Sequence, residues 1–406
     1  MIKRYIEFSK KPLNVFLQII IFFLLIPFLI SSFLANTFPE KVLYFITSIL
    51  ITTLFCEFLF LFLYRVLNGA HYQFLKKIEF KKFVYEPHPY LPFIYKKKHN
   101  KGLGKTEKII YPLNSKVEIP DLTTNNLRYL NGENGDRDIL VPKPHDLIRI
   151  NCLGGSTTLN YVKVDNKNYS YPLELERVLK KKFNKNLEVN NCAQGGYNSA
   201  DLFVRYALQN IETKPDYIII YHAYNDIRSY LTPDFTPDYF HSRKNLGEVY
   251  WKYYLGSKTP NIPLSFINYL TNKFLLPPEA RNTILEAIQK GELDVSLDYS
   301  EGLKIYERNL QHTINLSQCN NIKIILGTYC FYLYPEIEND PLHRLYQKIV
   351  SEENEIMKKL AIKNNLILVD AASLINKDKS NFLDSVHFSA QGMGLLAKSF
   401  AEKIDL

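Results

Sequence analysis

From Asp146 to the C-terminus, short and largely apolar runs alternate with amphipathic stretches of helical periodicity. Continuous apolar runs are typical of parallel strands buried on both faces, and amphipathic stretches between them are typical of the covering helices. The predicted strands are 146–153 (DLIRINCL), 187–192, 216–223, 322–329 and 366–370. Helices are predicted at 172–183, 198–211, 301–318, 341–364 and 389–404. The pattern predicts a three-layer α/β/α domain around a five-stranded, mainly parallel sheet of the flavodoxin-like kind.

The alternation is interrupted between about 227 and 300. This insertion is rich in aromatic residues, includes the only tryptophan, Trp251, and contains a predicted helix that begins near Pro278 and ends at Gly291. It follows the third predicted strand, and loops at the carboxyl ends of parallel strands surround the ligand crevice. The insertion therefore either caps the site or packs away from it, and the pattern favours neither alternative.

The N-terminal part has a different pattern, with two long apolar stretches at about 13–35 and 42–64. Each stretch is long enough to cross a hydrocarbon core of about 30 Å as a helix, so residues 1–66 are predicted to be a membrane anchor with two transmembrane helices. Residues 67–145 have weak periodicity, and we predict a connector that packs irregularly on the main domain, 146–406.

Charged residues flanking the two apolar stretches predict their orientation. Cationic residues precede the first stretch and follow the second, whereas the short turn between them holds only Glu40 and Lys41. Since positive charge is retained on the cytoplasmic side, the main domain is predicted to lie on the cytoplasmic face of a multi-pass membrane protein. The flanking cations are Lys3, Arg4, Lys10, Lys11, Arg65, Lys76 and Lys77.

Each predicted transmembrane helix carries a polar residue at a similar depth, Gln18 in the first and Glu57 in the second. An interhelical hydrogen bond between the two side chains would reduce the cost of placing them in lipid. Two alternatives are that Glu57 is protonated or that it faces another protomer.

The 406 residues carry a formal net charge of +9, but the lysines cluster at the membrane flanks and no nucleic-acid motif is present, so no nucleic-acid partner is expected. The histidines show no metal-binding spacing, and we expect neither a metal nor a cofactor. The cysteines form no CxxC pair and are predicted to be buried free thiols. They are Cys56, Cys152, Cys192, Cys319 and Cys330.

Four polar segments follow predicted strands or lie near the C-terminus: GGSTT with Ser156, NNCAQGGYNS with Gly196, HAYND with Asn225, and FLDSVHFSAQG with Asp384 and His387. The carboxyl ends of parallel strands meet at one edge of the sheet, so these segments can share a site. His222 lies close to Asn225 in sequence, but at a strand end its side chain is predicted to be a satisfied wall residue and not a second base.

The residue types in these segments match the requirements of acyl transfer. Ser156 would attack as the nucleophile, His387 would remove its proton, and Asp384 would orient the imidazole. The backbone N–H groups of Ser156 and Gly196 and the side-chain amide of Asn225 would form an oxyanion hole.

The four segments resemble the blocks of the SGNH branch of the GDSL hydrolases, whose name lists serine, glycine, asparagine and histidine. LGGSTT resembles the nucleophile block, NCAQGG the second block, HAYND the third and LDSVHFSAQG the last. Two residues depart from the pattern, because Gly155 replaces the aspartate of Gly-Asp-Ser and Ala223 replaces a glycine. Upstream, TTNNLRYLNGENGDRD is similar to the lead-in of membrane-anchored members.

The resemblance implies a membrane-tethered serine esterase acting on acyl or acetyl esters of a lipid, glycan or small molecule, with no cofactor. Within enzymes, an O-acyltransferase would use the same triad. Two further alternatives are a catalytically silent module that binds a glycan or a partner, and a phosphate cradle formed by GGSTT. A phosphate cradle would not need the distant Asp-x-x-His, and no lysine follows the glycines as in a P-loop. The sequence predicts no oligomeric state.

Overall fold

The computed structural model describes residues 34, 36–68, 85–86, 88–99, 107–239, 241–242 and 294–406. The chain divides into two compact units. One unit comprises residues 1–82 with 248–280, and the other comprises 83–247 with 281–406.

The described part of the first unit contains one long helix, α1 (Phe38–Asn68), which includes the predicted second span. Its residues 38–55 are the one stretch in the described ranges that is long and apolar enough to cross a membrane, by length and composition alone. Large apolar side chains such as Phe38, Leu43 and Ile51 are exposed on it. Apart from residue 34, the predicted first span lies outside the described residues, and so does Gln18 with its predicted bond to Glu57.

The second unit begins with short strands that the sequence did not predict. Strands β1 (Tyr85–Glu86) and β2 (Ile94–Tyr95) form an antiparallel pair. Four more form an antiparallel sheet: β3 (Glu107–Tyr111), β4 (Asn114–Ile119), β6 (Val162–Val164) and β7 (Lys167–Tyr169). Asp165 and Asn166 both have positive φ between β6 and β7, as a tight hairpin turn requires. Part of the predicted irregular connector is therefore regular, because β3 pairs with β4, and β4 pairs with β6 beyond residue 160.

The central sheet is built from the five predicted strands. They are β5 (Ile148–Gly154), β8 (Leu187–Asn191), β9 (Tyr217–Tyr221), β10 (Lys323–Gly327) and β11 (Ile367–Val369). The order is β11-β10-β9-β5-β8, and all neighbouring pairs are parallel. This is the flavodoxin-like order, with the direction of winding reversing at β5 and β9, so the predicted sheet is confirmed.

The long helices also lie where they were predicted. They are α3 (Tyr171–Lys182), α4 (Ser199–Arg205), α6 (Ser300–Cys319), α7 (Pro341–Lys363) and α9 (Ala390–Lys403). Short helices follow the strands: α2 (Ser156–Leu159), α5 (Asn225–Tyr230) and α8 (Ala371–Leu374). Helix α3 packs with α9, and α6 packs with α4, α5 and α7. The predicted helix 198–211 is not uniform, since a π turn over 206–210 and a 3₁₀ turn over 211–213 follow Arg205.

Three cysteines are buried free thiols as predicted, namely Cys152, Cys192 and Cys330. Burial raises the pKa of the Cys192 thiol to about 12, so this thiol stays protonated. The prediction was wrong for Cys319, which ends α6 and is exposed. The side chain of Cys56 lies outside the described residues.

Only the ends of the aromatic-rich insertion are described. Tyr230 and Tyr239 are buried in the second unit, which fits a packed role for this part of the insertion. The predicted helix that ends at Gly291 and the single tryptophan, Trp251, lie outside the described residues.

Candidate active site

Ser156 begins α2, one glycine after the end of β5. The last position of β5 requires glycine, because a Cβ on Gly154 would lie 2.2 Å from Thr158 Oγ1 and 2.4 Å from the carbonyl oxygen of Tyr221. Asn191, at the end of β8, donates its side-chain N–H to the carbonyl oxygen of Thr158 at 3.0 Å. These contacts hold Ser156 at the carboxyl edge of the sheet.

His387 connects Ser156 to Asp384. The Nε2 atom of His387 lies 3.0 Å from Ser156 Oγ, and its Nδ1 atom lies 2.8 Å from Asp384 Oδ2. The other carboxylate oxygen of Asp384 accepts the backbone N–H groups of Val386 at 2.8 Å and His387 at 2.7 Å. The three side chains singled out in the sequence therefore form one continuous hydrogen-bonded chain.

The environment of Asp384 favours its charged form. Burial alone would raise the pKa of this carboxyl, but the hydrogen bond and charge of His387 and the two backbone N–H groups outweigh burial and lower the pKa below its usual value. A carboxylate that remains ionised at neutral pH can hold the imidazole with the proton on Nδ1. The Nε2 atom, which lies next to Ser156 Oγ, can then accept the proton of Ser156.

Backbone hydrogen bonds fix the loop that carries Asp384 and His387. The N–H of Leu383 donates to the carbonyl oxygen of His387 at 2.7 Å, which closes the loop. Leu113, in the turn between β3 and β4, donates to the carbonyl oxygen of Leu383 at 3.1 Å, and Tyr332 donates to that of Ser385 at 2.8 Å. The small antiparallel sheet therefore supports this loop directly.

The segments predicted to form an oxyanion hole adjoin one another. Gly196 has a φ of +80°, a left-handed conformation that favours glycine. The side-chain amide of Asn225 donates to the carbonyl oxygen of Tyr197 at 2.8 Å. A Cβ on Gly155 would lie 2.4 Å from Asn225 Nδ2, so the glycine that replaces the aspartate of the Gly-Asp-Ser pattern leaves room for this amide. The backbone N–H groups of Ser156 and Gly196 make no hydrogen bond with other described residues.

The turn before Asn225 has an uncommon backbone conformation. Tyr224 has φ +66° and ψ −49°, and the N–H of Asn225 donates to the carbonyl oxygen of Ala223 at 2.7 Å. This is the geometry of a γ-turn with positive φ, which is rare and strained. A bulky residue held there costs on the order of 1–3 kcal/mol, which surrounding contacts must offset.

Asp226 lies directly behind Asn225 and is completely buried. Its carboxylate accepts the backbone N–H of Ser199 at 2.9 Å, the Ser199 hydroxyl at 2.5 Å and the Tyr239 hydroxyl at 2.9 Å. It also lies 2.8 Å from Nε2 of His222, which is completely buried. Asp226 thereby ties α5, which carries Asn225, to α4, which follows the Gly196 loop.

Sequence reasoning missed three residues around this site: Asp226, Tyr224 and Glu353. In the sequence, the feature that could have pointed to Asp226 is its position directly after Asn225 in HAYND. Glu353 belongs to the run SEENE, which has the composition of a solvent-facing helix surface, yet its side chain is fully buried.

Comparisons with solved structures return proteins of low sequence identity. An acetylxylan esterase from Geobacillus stearothermophilus is 18% identical with a TM-score of 0.40, over 64% of this chain and 94% of its own. A lipase/acylhydrolase from Enterococcus faecalis is 17% identical with a TM-score of 0.38, over 63% of this chain and 95% of its own. No curated protein sequence gives a significant match.

A family model identifies the chain more directly. The GDSL-like lipase/acylhydrolase family matches residues 152–395, which include Ser156, Gly196, Asn225, Asp384 and His387. Because this match covers more than half of the chain, the protein belongs to the GDSL-like lipase/acylhydrolase family and is an ester hydrolase.

Proposed function

We propose that the protein is a membrane-tethered serine esterase in which Ser156 is the nucleophile, His387 the general base and Asp384 the residue that orients it. The observation that supports this most directly is the continuous chain from Ser156 Oγ through the imidazole to the carboxylate, at 3.0 Å and 2.8 Å. A nucleophile and base within hydrogen-bond reach, with the base held by a third group, is the arrangement that serine acylation requires.

In the first step, Ser156 Oγ attacks the ester carbonyl carbon while its proton passes to Nε2 of His387. The negative charge that develops on the carbonyl oxygen is stabilised by the N–H groups of Ser156 and Gly196 and by the amide of Asn225. The imidazolium then protonates the departing alcohol, the carbon–oxygen bond of the ester breaks, and an acyl-enzyme remains on Ser156. Asp384 stabilises the imidazolium without taking its proton.

In the second step, water loses a proton to Nε2 of His387 and attacks the acyl-enzyme. The same donors stabilise the second tetrahedral intermediate, and the imidazolium returns the proton to Ser156 as the acid leaves. An O-acyltransferase would follow the same course with an acceptor hydroxyl in place of water, so product analysis with and without an added sugar alcohol separates the two activities.

The tether in this proposal consists of the predicted span 13–35 and of α1, whose apolar side chains are exposed. The substrate is an O-acyl or O-acetyl ester of a lipid, glycan or small molecule, and attachment to a bilayer favours one that lies at the membrane. In this proposal the catalytic unit lies on the cytoplasmic face, and the distribution of Lys and Arg around the two apolar stretches supports that orientation.

Labelling with a fluorophosphonate probe tests the proposed triad. The solubilised full-length protein is expected to be labelled, and Ser156→Ala and His387→Ala are both expected to lose the label. Ser351→Ala, which changes an exposed serine on α7, is the matched control and should be labelled like the wild type. Labelling that persists in Ser156→Ala would refute the assignment of the nucleophile.

Cys319 provides a native reporter of topology, because Cys152, Cys192 and Cys330 are buried. In sealed right-side-out membrane vesicles, a membrane-impermeant maleimide is expected to leave Cys319 unmodified until detergent is added. Cys319→Ser identifies any background from other thiols. Modification of Cys319 before permeabilisation would place the catalytic unit on the opposite face.

A further inference from the structure

Glu353 is a completely buried carboxyl group that the proposed mechanism does not use. It projects from α7, where its Oε1 atom lies 2.8 Å from the Tyr230 hydroxyl and its Oε2 atom accepts the backbone N–H of Tyr224 at 3.2 Å. No described lysine, arginine or histidine forms an ion pair with it. Burying an acid without a cationic partner costs free energy of folding, which suggests that Glu353 has a role at this position.

Helix α7 contacts the strained Tyr224 turn twice. Glu353 accepts the backbone N–H of Tyr224, while the ring of Tyr346 packs edge-on against the Tyr224 ring with centroids 5.5 Å apart. Tyr346 and Glu353 are seven residues apart, which places them on the same face of the helix. The next residue, Asn354, binds the N–H and the carbonyl oxygen of Tyr329, in the loop after β10. This part of α7 therefore holds the loops that follow two neighbouring strands.

We infer that Glu353 is a positioning residue for the oxyanion hole, where its carboxyl group fixes the Tyr224 turn and thereby the direction of the Asn225 amide. The turn has little freedom, since its positive φ at a tyrosine is maintained only while neighbouring contacts hold it. The inference rests on the proposed function, because the position of Asn225 matters for turnover only if its amide stabilises the oxyanion.

The surroundings of Glu353 favour its neutral form. Burial and the nearby charge of Asp226 raise the pKa of Glu353 to about 8, against the smaller effects of the Tyr230 and Tyr224 hydrogen bonds. The other titratable groups that face it are acidic: Glu352 on its own helix, together with Tyr239 and Tyr306. An ionised Glu353 accepts hydrogen bonds from both Tyr224 N–H and the Tyr230 hydroxyl. When Glu353 is protonated on Oε1, it still accepts the Tyr224 N–H through Oε2, while the Tyr230 bond reverses and the carboxyl donates to the phenol oxygen.

This protonation state determines which substitutions should be tolerated. Glutamine reproduces a neutral carboxyl, with an acceptor for the Tyr224 N–H and a donor for Tyr230, whereas leucine has similar size but provides neither. Ionisation of Glu353 in alkaline solution would add negative charge behind the Asn225 donors, opposing the charge that develops on the substrate.

The test compares Glu353→Leu and Glu353→Gln in the full-length protein, with p-nitrophenyl acetate as substrate. For Glu353→Leu we expect kcat to fall at least about 10-fold with KM changed less than about 2-fold, which is the pattern of a lost transition-state interaction. Glu353→Gln should stay within about 2-fold of wild-type kcat at neutral pH and lack the decline in kcat that we expect of the wild type above about pH 8. Glu355→Gln, a change in an exposed carboxyl of the same helix that pairs with Lys358, is the matched control and should keep the wild-type kcat and pH profile.

Three results would overturn the inference: full kcat in Glu353→Leu, a loss in Glu353→Gln as large as in Glu353→Leu, or the same alkaline decline in wild type and Glu353→Gln. If Glu353→Leu does not fold, the inference is tested by the pH profile of Glu353→Gln alone, and an alkaline decline equal to that of the wild type overturns it. A failure of the proposed function is recognised separately, since it would abolish the dependence of wild-type turnover on Ser156 rather than alter the Glu353 variants.

Discussion

Replacing Ser156 with alanine is expected to lower kcat for ester hydrolysis by roughly 10⁴- to 10⁶-fold, because the variant lacks the hydroxyl that forms the acyl-enzyme in the proposed mechanism. His387→Ala should have a similar effect, since Ser156 Oγ would then lose the base that lies 3.0 Å away. Because the two residues act as one unit, the double variant should be no slower than the slower single variant. Initial rates with p-nitrophenyl acetate, corrected for spontaneous hydrolysis, measure all three.

The chain offers a matched control for this prediction in a second Asp-x-x-His sequence. His343 Nδ1 lies 2.9 Å from Asp340 Oδ2 at the start of α7, with the same spacing as Asp384 and His387. His343→Ala should keep wild-type kcat, because within the described ranges His343 pairs with Asp340 and contacts no serine hydroxyl. A His387→Ala variant within about 10-fold of wild type, or losses that multiply in the double variant, would contradict a shared catalytic role.

The sheet and its covering helices could be predicted because their sequence patterns are local. The run 216–223 is apolar throughout its centre, and the observed strand, Tyr217–Tyr221, is buried at every position. The order of the strands follows from short connections and right-handed crossovers, which leave few arrangements for five parallel strands. Asp384 and His387 could be paired for the same reason, since their spacing places both on one turn.

The small antiparallel sheet could not be predicted by these means. Its strands have three to six residues and contain polar residues such as Lys163 and Asn168, so no apolar run marks them. The one local signal is the Asp165–Asn166 turn, whose residue types favour the positive φ that both adopt. Pairing of β4 with β6 depends on a contact between segments more than forty residues apart, which periodicity does not detect.

The residues behind the proposed oxyanion hole could not be predicted for a different reason. Tyr224 and Glu353 are 129 residues apart, and neither has an unusual neighbourhood in sequence. A glutamate in an acidic run is normally solvated, and only the way α7 packs against the loops after β9 and β10 buries it. Ser199 likewise has the residue type of an ordinary helix start, although its hydroxyl and N–H both bind Asp226.

Asp226→Ala is expected to lower the free energy of unfolding by about 3–5 kcal/mol, the usual cost of removing one partner from a buried charged network. The substitution would leave the Ser199 N–H, the Tyr239 hydroxyl and His222 Nε2 buried without their acceptor. For a unit of this size, such a loss corresponds to a decrease in Tm of roughly 10 °C. Urea denaturation and thermal melting of the detergent-solubilised protein measure the effect.

A surface carboxylate gives the control for this stability change. Glu355 lies two residues beyond Glu353 on α7 and pairs with Lys358 at 3.0 Å in an exposed position, so Glu355→Ala should change stability by less than about 1 kcal/mol. An equally small change for Asp226→Ala would mean that the network does not stabilise the fold.

Asp226→Asn keeps the shape of the side chain and one acceptor oxygen but removes the charge, and it should lower the free energy of unfolding by about 1–3 kcal/mol. Because Asp226 joins the helix that carries Asn225 to the helix that follows Gly196, both variants should also lower kcat in the fraction that remains folded.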